Sequence, residues 1–460
     1  MDVPSQEATI VGAGLCGSLL AIMLQRRGLR VSLLERRADP RTSVTPAGRS
    51  INLALSARGI RALENAGIFS KVEPLLMPMR GRMIHAEDGT NELQPYGQRR
   101  EEQIYSVSRG ELNRILIDTA EADCGVPIRF HQEATGYESA DRTLRMVDLL
   151  EAKDYELHGE PVIAADGAGS AIRRSLGSAA AGEIDATESI LPHGYKELSL
   201  PAGPGGRHQL DPGALHIWPR GGFMLIALPN PGGDFTLTLF LPNEGKDSFS
   251  MLATSPEVES FFGRQFADVV PLIPDLAEAF LANPLGILGT VRCRHWHDGG
   301  NLLLIGDAAH AIVPFHGQGM NLAFEDCVLL ERMIQEGGTW AETFAGFEAQ
   351  QIDNANAIAN MALENYVEMR DTVRDPRFKL RKELSFELER RLPGHFIPRY
   401  SMVMFHAEIP YAIAERRGAL QMKLLDDLMQ DAETLAEIDI DAAESLMRTK
   451  LPNLRTNDAT

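Results

Sequence analysis

At 460 residues the chain is long enough for two or three domains around a large buried core. Its net charge of −19 and pI near 5.1 argue against nucleic acid or an anionic membrane surface as the main partner, so any bound anion must be held by local arginines against the overall field. The four cysteines, Cys16, Cys124, Cys293 and Cys327, show no metal-type spacing and read as thiols of a reducing compartment, with no metal site expected. No basic flank with an apolar stretch precedes the first strand, and no uncharged apolar run reaches the ~18 residues a spanning helix needs. The expectation is a soluble cytoplasmic protein.

In chain order, an apolar strand from Ala8 runs into Gly12-x-Gly14-x-x-Gly17, a helix follows, and a second strand, Arg30 to Leu34, ends on Glu35. Gly12 permits a sharp turn out of the strand. Gly14 removes a side chain where a pyrophosphate must approach, and Gly17 lets the helix lie close on the sheet. The helix N-terminus offers N–H groups to phosphates, and Glu35 is spaced to accept from an adenosine ribose. The pattern specifies a dinucleotide and leaves FAD or NAD open.

A helix is predicted from Ser56 to Ala66, closed by Gly67, and residues 78 to 97 read as a β excursion. Ser108-x-x-Glu111 is a capping box opening a helix with Leu112, Ile115, Leu116 and Thr119 on one face. Strands are predicted at Ile128 to Phe130 and at Thr143 to Leu149. Pro161-Val162-Ile163-Ala164-Ala165-Asp166-Gly167 is an apolar strand ending in a turn. Residues 190 to 290 read as β, with His216-Ile217-Trp218 and the alternating Phe235 to Phe240 as the clearest strands. A buried strand then leads through Gly306-Asp307 to a helix after Gly319, and Phe344 to Ile438 reads as helical, broken at Pro376, Pro393, Pro398 and Pro410. A single Gly-rich fingerprint points to one permanently bound dinucleotide.

Two later segments favour FAD. In Gly306-Asp307-Ala308-Ala309-His310 the Asp follows a strand, where it can hold a ribityl hydroxyl; in Pro314-Phe315-His316-Gly317-Gln318-Gly319-Met320-Asn321 a Gly-x-Gly loop offers a helix N-terminus to the flavin pyrimidine edge. With Ala164 to Gly167, these segments resemble the single-component (group A) flavoprotein hydroxylases. Within them, nearly the whole chain resembles the kynurenine 3-monooxygenase family. The resemblance rests on Gly48-Arg49-Ser50-Ile51-Asn52-Leu53-Ala54-Leu55, Met79 to Met83, Leu93 to Gly97, His193 to Leu198, Ala214 to Pro219, Met361 to Met369 and Ile397 to Val403. The chain lacks the C-terminal anchor of the eukaryotic members and is similar to the soluble bacterial form.

The resemblance implies an α/β fold: a Rossmann-like FAD-binding domain (1–72, 100–185, 290–343), an inserted β-sheet substrate domain (73–99, 186–289) and a C-terminal helical region (344–460) covering the active site. It implies non-covalent FAD held by Gly12, Gly14, Leu15, Cys16, Gly17, Glu35, Arg36, Arg37, Ala54, Arg109, Asp166, Asp307, Gly317, Gln318, Gly319, Met320 and Asn321. Asp166 is placed to serve a visiting NADPH as well. Arg109 also has a purely structural reading, as a salt-bridge partner of Glu111 or another neighbour.

The implied reaction is hydroxylation of L-kynurenine with NADPH and O2 through a flavin C4a-hydroperoxide. Arg82, Tyr96, Asn365 and Tyr400 hold the amino-acid head, a planar guanidinium fork being suited to a carboxylate. Asn365, Glu368 and Met369 are spaced to share a helix face. Taken alone, Arg82 would read as a surface charge and 361–369 as an ordinary helix. Leu215, Met224, Ile226, Leu228, Phe240, Pro314, Phe315 and Met369 line the ring slot. His316 either orients the substrate carbonyl or caps its loop, and His310 reads as structural. No catalytic base is assigned, since the aniline nitrogen already activates the ring; His316, Glu368 and Tyr400 are tuning candidates. A monomer or homodimer with no nucleic-acid or membrane partner is expected. The rival readings are another group A hydroxylase with a different aromatic substrate and a flavin-binding sensor without turnover.

Overall fold

Two structural units divide the chain in the computed structural model, which describes residues 7–42, 52–159, 161–177, 184–371 and 375–454. The Gly48–Ile51 part of one family-like stretch lies outside the described residues. The first unit comprises Met1–Leu76, Val107–Leu191 and Ile287–Ala359; the second comprises Met77–Ser106, Pro192–Gly286 and Asn360–Thr460.

The first unit is built on a six-stranded sheet in the order His297–Asp298, Leu302–Leu304, Val162–Ala164, Glu7–Val11, Arg30–Leu34, Ile128–Arg129. All neighbours pair in parallel except the edge strand His297–Asp298. Val162–Ala164 and Leu302–Leu304 are wholly apolar, as burial on both faces demands, while Glu7–Val11 and Arg30–Leu34 carry polar residues among buried apolar ones. Helix Leu15–Arg26 joins the first two strands in sequence, and helix Gly319–Glu336 follows the last. The expected strand at Thr143 is the middle of a three-stranded antiparallel sheet with Gln132–Glu138 and Lys153–His158. The capping box at Ser108 is one-sided: its hydroxyl accepts from the Glu111 N–H at 3.4 Å.

In the second unit, Phe235–Pro242, Met224–Pro229, Ala214–Pro219, Gly81–His85 and Asn91–Pro95 are successive neighbours within a seven-stranded sheet. Side chains alternate across such a sheet. One face carries Leu198, Leu200, Trp218, Leu225, Ala227, Leu237, Leu239 and Leu241 into a buried cluster with Phe261, Phe262, Phe266 and Phe280. Those phenylalanines correct the all-β reading of residues 190–290. Helix Ser255–Gln265, started by a Thr254/Glu257 capping box, and helix Leu276–Ala282 supply them, and the turn-like Ser-Pro-Glu start hid the first from pattern reading. Of the four expected breaks, three start helices, Pro376 opening Pro376–Arg391 and Pro398 and Pro410 capping Arg399–Met404 and Tyr411–Met429, while Pro393 lies in the turn after Arg391. Fixed proline φ suits a first turn, where no N–H is required.

Because Leu239 is fully buried in the aromatic cluster, Leu239→Ala should cost about 2–5 kcal/mol through lost burial and a residual cavity. Denaturant unfolding of purified protein checks this; an unchanged midpoint would contradict the packing described.

Candidate active site

The glycine turn is constrained by backbone crowding. Gly12 adopts φ +104°, and a Cβ there would lie 2.4 Å from the Ala165 carbonyl oxygen; a Cβ on Gly17 would lie 2.0 Å from the Gly12 carbonyl oxygen. Neither position tolerates a side chain without moving main chain. Gly14 differs: a Cβ there meets no protein atom within 4 Å, so its bareness serves space outside the protein, at the N-cap of helix Leu15–Arg26. That is the arrangement a pyrophosphate requires. Leu15 is the helix's first residue, and Cys16 packs inward, its Sγ 3.8 Å from that of Cys327.

Glu35 ends its strand facing this turn, and its carboxylate accepts from the Ala13 N–H at 2.8 Å. It also accepts from the Arg37 N–H, Nε and Nη2 at 2.9, 2.7 and 3.1 Å. Burial pushes the carboxyl up, but the Arg37 bonds and charge outweigh it and hold it below its usual range. Those four donors match the acceptor capacity of a carboxylate, so a ribose must displace the largely exposed Arg37 side chain. Arg36 is exposed as well.

Asp166 closes the second segment. Its Oδ2 accepts from the Ala171 N–H at 3.1 Å, while Oδ1 is buried and has no partner; burial raises this carboxyl above its usual range. Asp307 is exposed and makes no bond to the described residues, leaving both oxygens free for hydroxyls. Arg109 is exposed at the first turn of its helix. The ion pair with Glu111 belongs to Arg114, at 3.6 Å, which removes the structural reading that gave Arg109 that partner.

In the third segment, Pro314–His316 forms a single turn, with Pro314 exposed and Phe315 and His316 buried. Gly317 follows at φ +66°, where a Cβ would meet that of Ala54 at 2.9 Å. Gln318 is buried, and Gly319 and Met320 begin the helix. Asn321 points inward: its Oδ1 accepts from the Ser56 N–H at 3.0 Å and its Nδ2 donates to the Ala54 and Gly317 carbonyls, both at 2.8 Å. Its side chain braces the loop, so only its main chain is available to a ligand.

Asp326 was not singled out from the sequence. It is fully buried on helix Gly319–Glu336 and accepts from the Gly306 N–H at 3.1 Å, His310 Nε2 at 2.7 Å and Gln351 Nε2 at 2.8 Å. Burial alone lowers His310, but the Asp326 charge and hydrogen bond, with the Asp307 charge, together raise the imidazole above its usual value. This agrees with a structural His310 and explains how the Gly306-Asp307 turn is held. The only signal in the sequence was an acid among apolar neighbours on a buried helix face.

In the second unit, Arg82 is 7% exposed. Its Nη1 donates to Glu368 at 2.8 Å and its Nη2 to the Asn365 amide oxygen at 3.4 Å. Nε is buried without a partner, as is the Tyr96 hydroxyl. The guanidinium lies 5.9 Å from the Tyr96 ring and 5.1 Å from the Tyr400 ring, and those rings stack at 5.3 Å. Burial pulls the Arg82 guanidinium down, but the Glu368 charge and hydrogen bond, with the two tyrosines, together raise it. Burial pushes the Tyr96 phenol up to about 12 and holds Tyr400 well above its usual value. Met369 is buried beside Asn365, whose amide nitrogen is 3.3 Å from the thioether sulfur.

Strand register gathers the apolar residues. Leu215 pairs with Arg82, Ile217 with Ile226, Pro219 with Met224 and Met224 with Phe240. Alternation therefore puts Leu215, Met224, Ile226, Leu228 and Phe240 on the Arg82 face, opposite the phenylalanine cluster.

The glycine turn, the free Asp307 carboxylate and the half-satisfied Asp166 fit FAD, and they define an FAD-binding fold of the flavoprotein hydroxylase class. An FAD binding domain model matches residues 5–195 and 285–342. The chain is 48% identical to the kynurenine 3-monooxygenase of Myxococcus xanthus over 96% of its own length and 95% of that protein's, and 46% identical to that of Stenotrophomonas maltophilia over 98% of each. The chain belongs to the kynurenine 3-monooxygenase family. Among solved structures, the tetrameric 2-methyl-3-hydroxypyridine-5-carboxylic acid oxygenase shares the fold at TM-score 0.66 and 19% identity, covering 82% of this chain and 95% of that one. Pseudomonas aeruginosa PqsL, solved with 2-aminobenzoylacetate, does so at 0.62 and 20%, covering 79% and 96%.

Breaking a buried ion pair costs about 3–5 kcal/mol, so Asp326→Asn should destabilise the chain on that scale and weaken FAD retention. Because folding raises the His310 value above its unfolded ~6.5, the pair's contribution is full below that pH and fades as pH rises through the folded value. Denaturation across a pH series should therefore show the gap between wild type and Asp326→Asn narrowing upward; a pH-independent gap would contradict the pairing.

Proposed function

We propose that this chain hydroxylates L-kynurenine to 3-hydroxy-L-kynurenine, with FAD resident in the first unit and NADPH and O2 as co-substrates. The observation that carries the reading is Arg82: a buried guanidinium with an unpartnered Nε, flanked by Tyr96, Tyr400, Asn365 and Glu368. A desolvated cation with a free donor is costly unless a ligand completes it. An α-amino acid does so, its carboxylate taking Arg82 Nε and the Tyr96 hydroxyl and its ammonium facing Glu368 and the Asn365 carbonyl. Leu215, Met224, Ile226, Leu228 and Phe240, on the Arg82 face of the sheet, supply an apolar wall for an aminophenyl ketone, joined by Met369.

Gly12, Gly14, Gly17, Glu35, Asp166, Asp307 and the Gly317–Asn321 turn would hold FAD, which supplies the redox and oxygen-transfer chemistry when bound. The aniline nitrogen of kynurenine donates electrons into its own ring, so the protein need not provide a base there. The residues' work is to fix the ring by its head group and keep water from it. None of the described helices is long and apolar enough to cross a membrane, and four free cysteines suit the reducing cytoplasm, where we place the protein as a monomer or homodimer.

Incubation of the purified yellow protein with L-kynurenine, NADPH and air should give a product one oxygen heavier by mass; consumption of NADPH without that product would contradict the reading. Losing one charge-assisted contact costs about 1.5–3 kcal/mol, so Arg82→Ala should weaken kynurenine binding roughly tenfold to hundredfold while FAD remains bound.

A further inference from the structure

Arg82 cannot by itself make the head-group site positive, because Glu368 neutralises it at 2.8 Å. A cluster with no net charge has little reason to prefer a carboxylate, and the remaining positive charge comes from helix Pro376–Arg391. That helix is fastened to the Gly81–His85/Asn91–Pro95 ribbon at two levels. Lys379 pairs with Glu92 at 2.5 Å, while Gln98 donates to the Phe386 carbonyl at 2.9 Å and to Glu389 at 2.7 Å. Residues 379, 382, 386 and 389 recur at helical spacing and share one face. Lys382, between the two fastenings, is therefore directed at the ribbon between Glu92 and Gln98.

Register identifies what it meets there. Glu92 pairs with Ile84 and Gln94 with Arg82, so the face that Glu92 offers to Lys379 is also the face that carries Gln94 and Arg82. Resting on the head-group reading proposed above, we propose that Lys382 is the second cation of that site and the residue that selects substrates bearing a carboxylate. The charges then alternate: Arg82 and Lys382 receive the carboxylate, and Glu368 receives the ammonium.

The electrostatics agree with this placement. Lys382 is pushed down to about 8 by burial first and by the Arg82 charge second, with Glu368 and Glu92 opposing. No carboxylate among the described residues pairs with it; its ammonium lies 5.6 Å from the centre of the Phe386 ring. The groups facing it are Arg82 on one strand, Glu92 on the next and Glu368 on the helix Trp340–Arg370, with Lys379 on its own helix. Glu92 is paired with Lys379 and Glu368 with Arg82, so three cations share two acids and Lys382 is the one without an ion-pair partner among the described residues, the arrangement of a site built to receive an anion.

The test is calorimetric, on FAD-loaded protein, with two ligands: L-kynurenine and its decarboxylated amine, which keeps the aminophenyl ketone and ammonium but lacks the carboxylate. Lys382→Gln should weaken kynurenine about tenfold, the scale of one charge-assisted contact, and leave the decarboxylated amine unchanged or tighter. Lys382→Arg should restore most of the kynurenine affinity. Wild-type kynurenine affinity should also fall as pH rises through about 8, a limb that Lys382→Gln should flatten. Equal loss of both ligands would assign Lys382 a merely structural role and overturn the proposal, as would unchanged kynurenine affinity. Arg82→Ala, titrated alongside, separates the two levels: if it binds kynurenine normally the head-group reading itself fails, and the Lys382 proposal with it.

Discussion

A guanidinium taken almost fully out of water must have its charge answered and its donors placed, and the second unit is arranged around meeting that demand at Arg82. Glu368 answers the charge, Asn365 takes one donor, and two stacked tyrosine rings present their faces to the cation. With Arg82 itself they come from four parts of the chain: a strand for Arg82, a hairpin end for Tyr96, the long helix Trp340–Arg370 for both Asn365 and Glu368, and the short helix Arg399–Met404 for Tyr400. What the protein leaves unmet, Nε and the Tyr96 hydroxyl, has the hydrogen-bonding character of a carboxylate's missing partner. The site is specified as much by its deficit as by its contacts.

The first unit meets the opposite problem. A dinucleotide is long and anionic and must be met by main chain, so the decisive constraint is how closely backbones can pass. Gly12, Gly17 and Ala165 are packed so tightly that no Cβ is possible at either glycine, and the resulting turn aims the helix N-terminus outward. Behind the Gly306-Asp307 turn a buried acid, Asp326, collects three donors at once. Rigid support of that kind leaves Asp307 itself unencumbered. In contrast, Glu35 is already fully engaged by Ala13 and Arg37, so a ribose reaching it would have to displace the Arg37 side chain.

This difference explains what could be read from the sequence. Backbone solutions leave glycines at fixed spacing, so the Gly12–Gly17 turn and the Gly317–Gly319 loop were legible from local pattern, as were the apolar parallel strands. Side-chain solutions leave no local mark. Arg82 alone looked like a surface charge, and only likeness to a family drew Asn365, Glu368 and Tyr400 toward it, across a sequence separation of 286 residues for the Arg82–Glu368 pair. Asp326 was missed because a buried acid among apolar neighbours resembles an ordinary exposed one until its donors are seen. The Ser255–Gln265 helix was hidden within a β-rich stretch because its capping box looks like a turn.

Sheet register ties the two faces of the second unit to one another. The strand that offers Leu215 and Ile217 to the Arg82 face sends His216 and Trp218 to the other. There His85 accompanies them, His85 Nε2 lying 2.8 Å from His216 Nδ1, with its ring stacked on Trp218 at 4.0 Å. The Trp218 indole N–H is fixed in turn to Asp268 at 2.7 Å. A slip of one residue would carry Arg82 into the phenylalanine cluster and bring two histidines to the ligand face. The apolar core and the polar pins behind the sheet therefore do more than stabilise it. By fixing which residues alternate to which side, they decide that the guanidinium and the side chains of Leu215, Met224, Ile226, Leu228 and Phe240 share one face of the sheet.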